Sequence, residues 1–215
     1  MKILEPKLNK LEEYNLLDAN KENCYNNMIF NKNVEVNIEI SDVTIDECIF
    51  KNIDFNNIEF NDIELLDVTF ENCDLSNKVF NYYLMQRVKF INCRMTGMSF
   101  INASFKDIII DNCNCKYINF AAAKLSKVLI KDSNLSETSF METDIKDLEL
   151  DNVDLKSSEI IKTKLNGVDL STCNIESIIT DLDSIKGITI DRIQSMDLIS
   201  VLGVKIKGIK NENYK

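Results

Sequence analysis

The apolar residues of this chain repeat with a period that belongs to neither an amphipathic helix nor a half-buried strand. From Ile40 to Ile175 every fifth residue is Ile, Leu, Phe, Met or Cys, at 28 successive positions without an exception. A helix repeats every 3.6 residues and a strand every two. A second, smaller inward column stands two residues earlier in each unit: Val43, Cys48, Ile53, Ile58, Ile63, Val68 and Cys73, then Cys93, Met98, Ala103, Ile108 and Cys113. Asp, Asn, Glu, Lys and Ser dominate the other three positions. Each five-residue unit therefore points two side chains inward and three outward.

A period of twenty lies over the period of five. ENCDL (71–75), INCRM (91–95), DNCNC (111–115), KDSNL (131–135), DNVDL (151–155) and STCNI (171–175) recur at that spacing, as do Phe60, Phe80, Phe100, Phe120 and Phe140. Like residues stack when successive coils are in register, so twenty residues make one coil of four sides, and each coil covers its neighbours. At a strand spacing of ~4.8 Å, about eight coils form a rod of roughly 40 Å. Within SNKVFNYYLMQR (76–87), Lys78 and Tyr83 fall in the small inward column. They predict a bulge there, from which Tyr82, Tyr83, Gln86 and Arg87 project. Residues 1–27 match no repeat and read as an irregular cap, residues 28–190 as the repeat, and residues 191–215 as a C-terminal element.

In that last element Asp191 is placed to cap a helix, with Gln194 three residues on. Ile193, Met196, Ile199 and Leu202 follow at helical spacing, Gly203 suits the position just past a helix end, and Val204 and Ile206 alternate as in a strand. An apolar helix and strand on the end of a rod need a partner surface, and a second copy supplies one.

Composition removes several functions. The chain has no His, which takes away the commonest general base and the commonest zinc ligand. Its five Gly form no phosphate-binding loop. Seven Cys without a secretory signal argue against a disulfide framework, and Cys48, Cys73, Cys93, Cys113 and Cys173 fall in the inward column as small apolar residues. We expect no metal, no cofactor and no catalytic residues. No run of the sequence is apolar enough to span a membrane, and with no leader-like segment at residues 1–14 a cytoplasmic location is expected.

Charge is banded. Residues 30–75 carry a net −10, residues 76–130 a net +6 and residues 131–191 a net −8, within a total of −10. Acids on a solvated surface aid solubility whatever the protein does. On a rod of even width they also present regularly spaced negative charge, as duplex DNA does.

The units CDLSN (73–77), SNLSE (133–137), TDIKD (143–147) and VDLST (168–172) resemble the pentapeptide-repeat proteins, whose fold is an all-β, right-handed quadrilateral parallel β-helix. AKLSKVLIKDSNL (123–135) and GITIDRIQSMDLISVLGVKI (187–206) resemble the topoisomerase-binding Qnr and MfpA group within them. That resemblance implies a DNA mimic that binds DNA gyrase and topoisomerase IV at the DNA-binding saddle and alters fluoroquinolone susceptibility. It implies no direct nucleic acid binding, and a homodimer joined end to end through Ile193, Met196, Ile199, Leu202, Val204 and Ile206. In such a dimer the acids Asp132, Glu137, Glu142, Asp144, Asp147, Glu149, Asp151, Asp154 and Glu159 form a central belt for the enzyme, flanked by contacts from Tyr82, Tyr83, Gln86 and Arg87. A pentapeptide scaffold with an unrelated partner fits the same repeat, because a fold does not fix a function.

Overall fold

A computed structural model describes residues 1–19 and 24–204. Its centre is a parallel sheet built from one strand per coil. The eight-residue strands Thr44–Lys51, Glu64–Glu71, Leu84–Ile91, Ser104–Asp111, Lys124–Lys131 and Asp144–Asp151 pair in sequence order, each residue opposite the one twenty positions on. The short strands Cys24–Asn26 and Met28–Phe30 open this sheet against Thr44–Lys51. On the other sides the strands are shorter, Ile38–Ser41 with Ile58–Asn61 and Glu159–Ile160 with Ile179–Thr180, continued by single bridges such as Val79 with Ser99 and Asn134 with Asp154. Every fifth residue over most of the repeat has a positive φ, from Asp42 (54°) to Lys162 (55°), with Gly97 and Gly167 in the same role. These left-handed residues turn the chain after each five-residue side. The molecule is a four-sided β-solenoid of about eight coils.

Both inward columns form the core. Phe30, Phe50, Phe70 and Phe90 make one stack, with ring centroids 4.9, 5.0 and 5.1 Å apart. Phe60, Phe80 and Phe100 meet edge to face, and Phe100, Phe120 and Phe140 stack again. The small column follows a second rule. Its polar members donate to a carbonyl 23 residues back: Cys73 to Phe50 at 3.4 Å, Thr143 to Phe120 at 2.9 Å and Ser158 to Leu135 at 2.7 Å. A small hydroxyl or thiol is tolerated in this core because each coil offers it an acceptor.

That rule also explains why the expected bulge at 76–87 is absent. Pairing runs through this segment without a slip, from the Asn77 N–H on the Thr96 carbonyl and the Val79↔Ser99 bridge to Glu64↔Leu84 and Leu66↔Gln86. Tyr83 is buried, and its hydroxyl donates to the Phe60 carbonyl at 2.7 Å, the same 23-residue bond made by a longer side chain. Burial, with Asp62 nearby, pushes its phenol up to about 12. Lys78 is also mostly buried, and its ammonium reaches out to Glu59 at 3.1 Å. The aliphatic stem fills the column while the charge leaves it. Tyr83→Phe keeps the ring and strands the Phe60 carbonyl, so we expect a loss of about 1 kcal/mol, measured by urea denaturation.

The two ends differ. At the N-terminal end, residues 1–9 are more than a cap: they run as an extended strap across the outside of the rod. The strap then joins the first coil, where Glu12–Glu13 pair with Met28–Ile29. At the C-terminal end the expected capping box is present. The Asp191 carboxylate accepts the Gln194 N–H at 3.0 Å, and the Gln194 side-chain oxygen accepts the Asp191 N–H at 2.8 Å. The Gln194 amide also donates to the carbonyls of Leu170 (2.8 Å) and Cys173 (2.6 Å), tying the cap to the coil beneath it. A helical turn over Ser195–Leu198 and a 3-10 turn over Ile199–Leu202 follow, ending at Gly203 with φ +69°. Among the described residues no helix is long and apolar enough to cross a membrane.

Candidate interaction surface

Stacking in register carries surface side chains as well as core ones into columns. One corner is an amide ladder, where Asn72, Asn92 and Asn112 each donate to the Asn one coil earlier at 3.1, 3.1 and 2.8 Å. The same column continues with Asp132, which accepts from Asn152 at 2.7 Å. Ion pairs likewise join neighbouring coils: Lys51 with Glu71, Arg94 with Asp74, Lys131 with Asp111 and Lys156 with Glu176.

The nine acids of the expected belt do not share one side of the rod. Glu137 pairs with Lys116 at 3.0 Å, Glu142 pairs with Lys162 at 2.7 Å, and the Met1 amino group lies 3.5 Å from Glu149. The Lys162 ammonium holds the Glu142 carboxyl below its ordinary value. Glu159 is half-buried and accepts from the Ser139 hydroxyl. No ion pair among the described residues involves Asp132, Asp144, Asp147, Asp151 or Asp154. Asp144, Asp147, Glu149 and Asp151 are all exposed along one strand, Asp144–Asp151. Asp132 and Asp154 line a shallow groove of about 600 Å³ with Asp191. Asp132, Asp144, Asp147, Asp151 and Asp154 lie on the last full strand and the corner beside it, with Lys131 near Asp132 and Asp151 and Lys156 near Asp154.

Of the four side chains expected to project from a bulge, only Tyr82 stands fully out, at 74 % exposure. Gln86 is half-buried. Tyr83 is in the core, and Arg87 is turned onto Asp67, its Nε and a terminal nitrogen 2.6 and 2.5 Å from the two carboxylate oxygens. Tyr83 and Arg87 are therefore unavailable to a partner.

At the C-terminal end, Ile193, Met196, Leu202 and Val204 are exposed, Ile199 is half-buried, and Ile206 lies outside the described residues. Ile179 and Leu182 of the last coil are exposed as well. The sequence stripe omitted these two because they belong to the repeat. Outward apolar residues at the end of the repeat were the available signal.

Cys48, Cys73, Cys93, Cys113, Cys115 and Cys173 are buried free thiols. Hydrogen bonding to Cys93 and burial push the Cys113 thiol up, and burial pushes that of Cys115 up. Cys115 packs 3.8 Å from the Met95 sulfur. No group of three or more Cys, Asp or Glu among the described residues is arranged to hold a metal ion.

Comparison with known proteins agrees with this architecture. The family model described as "Pentapeptide repeat region" matches residues 43–120, 63–140 and 83–160, which together span more than half of the chain. The protein belongs to the pentapeptide-repeat family. Its structure is similar to that of trypsin-treated QnrB1, a plasmid-mediated fluoroquinolone resistance protein, at 21 % identity over 86 % of this chain and 92 % of that one, with a TM-score of 0.47. Full-length QnrB1 matches at 22 % identity over 84 % and 90 % of the two chains, TM-score 0.38. HetL from the cyanobacterium Nostoc, a pentapeptide repeat protein involved in regulating heterocyst differentiation, matches at 12 % identity over 78 % and 89 %, TM-score 0.36. No curated protein sequence matches the chain.

Proposed function

We propose that this protein is a cytoplasmic DNA mimic that binds DNA gyrase and topoisomerase IV at the DNA-binding saddle and so alters fluoroquinolone susceptibility. It acts by binding, without catalysis. The observation that carries this reading is the exposed acid row Asp144, Asp147, Glu149 and Asp151, one coil from Asp132, on a rod of even width. A positively charged saddle meets there a cluster of exposed negative charge of the sign a duplex presents. The exposed apolar end around Ile193, Met196 and Leu202 supports a homodimer, which places two such rows about one central axis.

Gyrase supercoiling with and without ciprofloxacin, at micromolar protein, tests the reading. The wild-type protein is expected to change supercoiling or its inhibition by the drug, and Asp144→Lys/Asp147→Lys/Asp151→Lys to lose that effect while melting normally. A wild-type protein without effect on either enzyme overturns the proposal. Met196→Asp/Leu202→Asp is expected to run as a monomer in light scattering.

A further inference from the structure

The corner at residues 47, 67, 87, 107, 127 and 147 is covered differently from the other three, because the N-terminal strap lies along it. Asn9 donates its side-chain amide to Glu47 at 2.6 Å, the Lys7 main-chain N–H donates to Asp67 at 2.8 Å, and the Leu4 N–H donates to Asp107 at 3.1 Å. Lys89 reaches Glu5 at 3.3 Å. The segment thus crosses the coils at right angles to the strands, from the sixth long strand at Met1 back to the first at Asn9.

The spacings of strap and rod agree. Asp67 and Asp107 are two coils apart, about 9.6 Å at strand spacing, and Leu4 and Lys7 are three residues apart, about 10 Å in an extended chain. A peptide laid along the rod therefore brings every third main-chain N–H over an acid of every second coil. Asp67 is 3 % exposed and Asp107 1 %. Among the described residues the only hydrogen bond to the Asp107 carboxylate comes from the Leu4 N–H.

The strap itself is shallow. Only Ile3 and Pro6 within residues 1–10 are half-buried, and the rest are exposed. What holds it is main-chain and side-chain hydrogen bonding, with two ion pairs, the Met1 amino group on Glu149 and Glu5 on Lys89, rather than its own apolar side chains. A segment held this way opens locally at lower free energy than the strands beneath it.

We propose that this corner is a binding site for an extended peptide, occupied here by the chain's own N-terminal segment, which a partner's peptide displaces. Recognition is by main-chain N–H groups at positions i and i+3, a carboxylate at i+1 on Lys89 and a side-chain amide at i+5, so it reads extended conformation more than sequence. The site adjoins the acidic row assigned to topoisomerases at its Met1 end, where the amino group lies 3.5 Å from Glu149.

The test uses the full chain with Leu4→Pro/Lys7→Pro, which removes the two donated N–H groups and keeps φ in the extended range. Trypsin cleavage after Lys10 is expected to speed up at least tenfold with the rod's melting temperature unchanged. A labelled peptide of residues 1–14 is then expected to bind this variant at least tenfold more tightly than it binds wild type, weakening with salt, and a peptide with prolines at its fourth and seventh positions is expected not to bind. Cleavage as slow as in wild type, or no saturable binding of the peptide, overturns the proposal. Hydrogen exchange on the wild-type protein tests displaceability without a variant. The Leu4 and Lys7 amides should exchange at least a hundredfold faster than those of Phe70 and Val88, and exchange as slow as the strands overturns it.

Discussion

Phe70→Ala is expected to lower the stability of the protein by about 3–5 kcal/mol, read as a fall in the urea midpoint and a drop in melting temperature of roughly 10 °C. Phe70 is fully buried and stacks on both sides, 5.0 Å from Phe50 with 9° between the rings and 5.1 Å from Phe90 with 6°. Its edge also meets Phe55 at 5.9 Å. Truncation therefore removes two stacking contacts and one edge contact, in a core whose coils cannot close up without breaking the backbone ladder on all four sides. The same column carries Ile110, Ile130 and Leu150 in later coils. Phe70→Leu leaves a smaller void and should cost only about 1.5 kcal/mol. If Ala and Leu cost the same, restored volume would recover nothing, and the account of the loss as a void in the column would be wrong.

How much of this could be read from the residues depends on what each feature rests on. The coils were legible because the five-residue register never slips and buried positions must be apolar in every unit. The C-terminal cap was legible because Asp191 and Gln194 sit at the spacing a capping box demands. The segment 76–87 was misread because size and charge alone seemed to exclude Lys78 and Tyr83 from the inner column. Both place a polar tip beyond a filling stem, and the acceptor that receives the Tyr83 hydroxyl lies 23 residues away, where no local pattern points. The strap was illegible for a different reason. Its two central bonds come from the main chain of Leu4 and Lys7, which every residue carries, and Asp67 and Asp107 look in sequence like any other outward acid. The acidic belt was legible as composition only. Which acids pair off, such as Glu137 and Glu142, follows from the lysine one coil away and appears once the twenty-residue register is laid out in space.

That register also sets the consequence of removing Arg87. The Asp67–Arg87 pair joins neighbouring coils on one corner, with side chains only 5 % and 13 % exposed. Burial pushes the Asp67 carboxyl up. The Arg87 guanidinium and the Lys7 N–H more than offset this and hold it below its ordinary value. Arg87→Met leaves a buried carboxylate with the Lys7 N–H as its remaining hydrogen-bond donor, and breaking one side of such a pair costs about 3 kcal/mol or more. The sign of the pH dependence follows. A carboxylate whose folded pKa is depressed contributes stability above its unfolded pKa, about 3.9, and loses it as pH falls through the folded value. Wild type therefore loses this contribution on acidification. In the variant burial raises Asp67 instead, so protonation relieves it. The deficit of Arg87→Met should be largest at neutral pH, begin to narrow as pH falls through the raised pKa of the variant's Asp67, and go on narrowing below about pH 4, as followed by urea denaturation across that range. Asp67→Asn/Arg87→Met should recover most of the loss at pH 7, because the amide keeps an acceptor for Lys7 and buries no charge. A deficit independent of pH, with no recovery in the double variant, would mean that Arg87 acts through packing alone, and that the corner beneath the strap is held by shape rather than by charge.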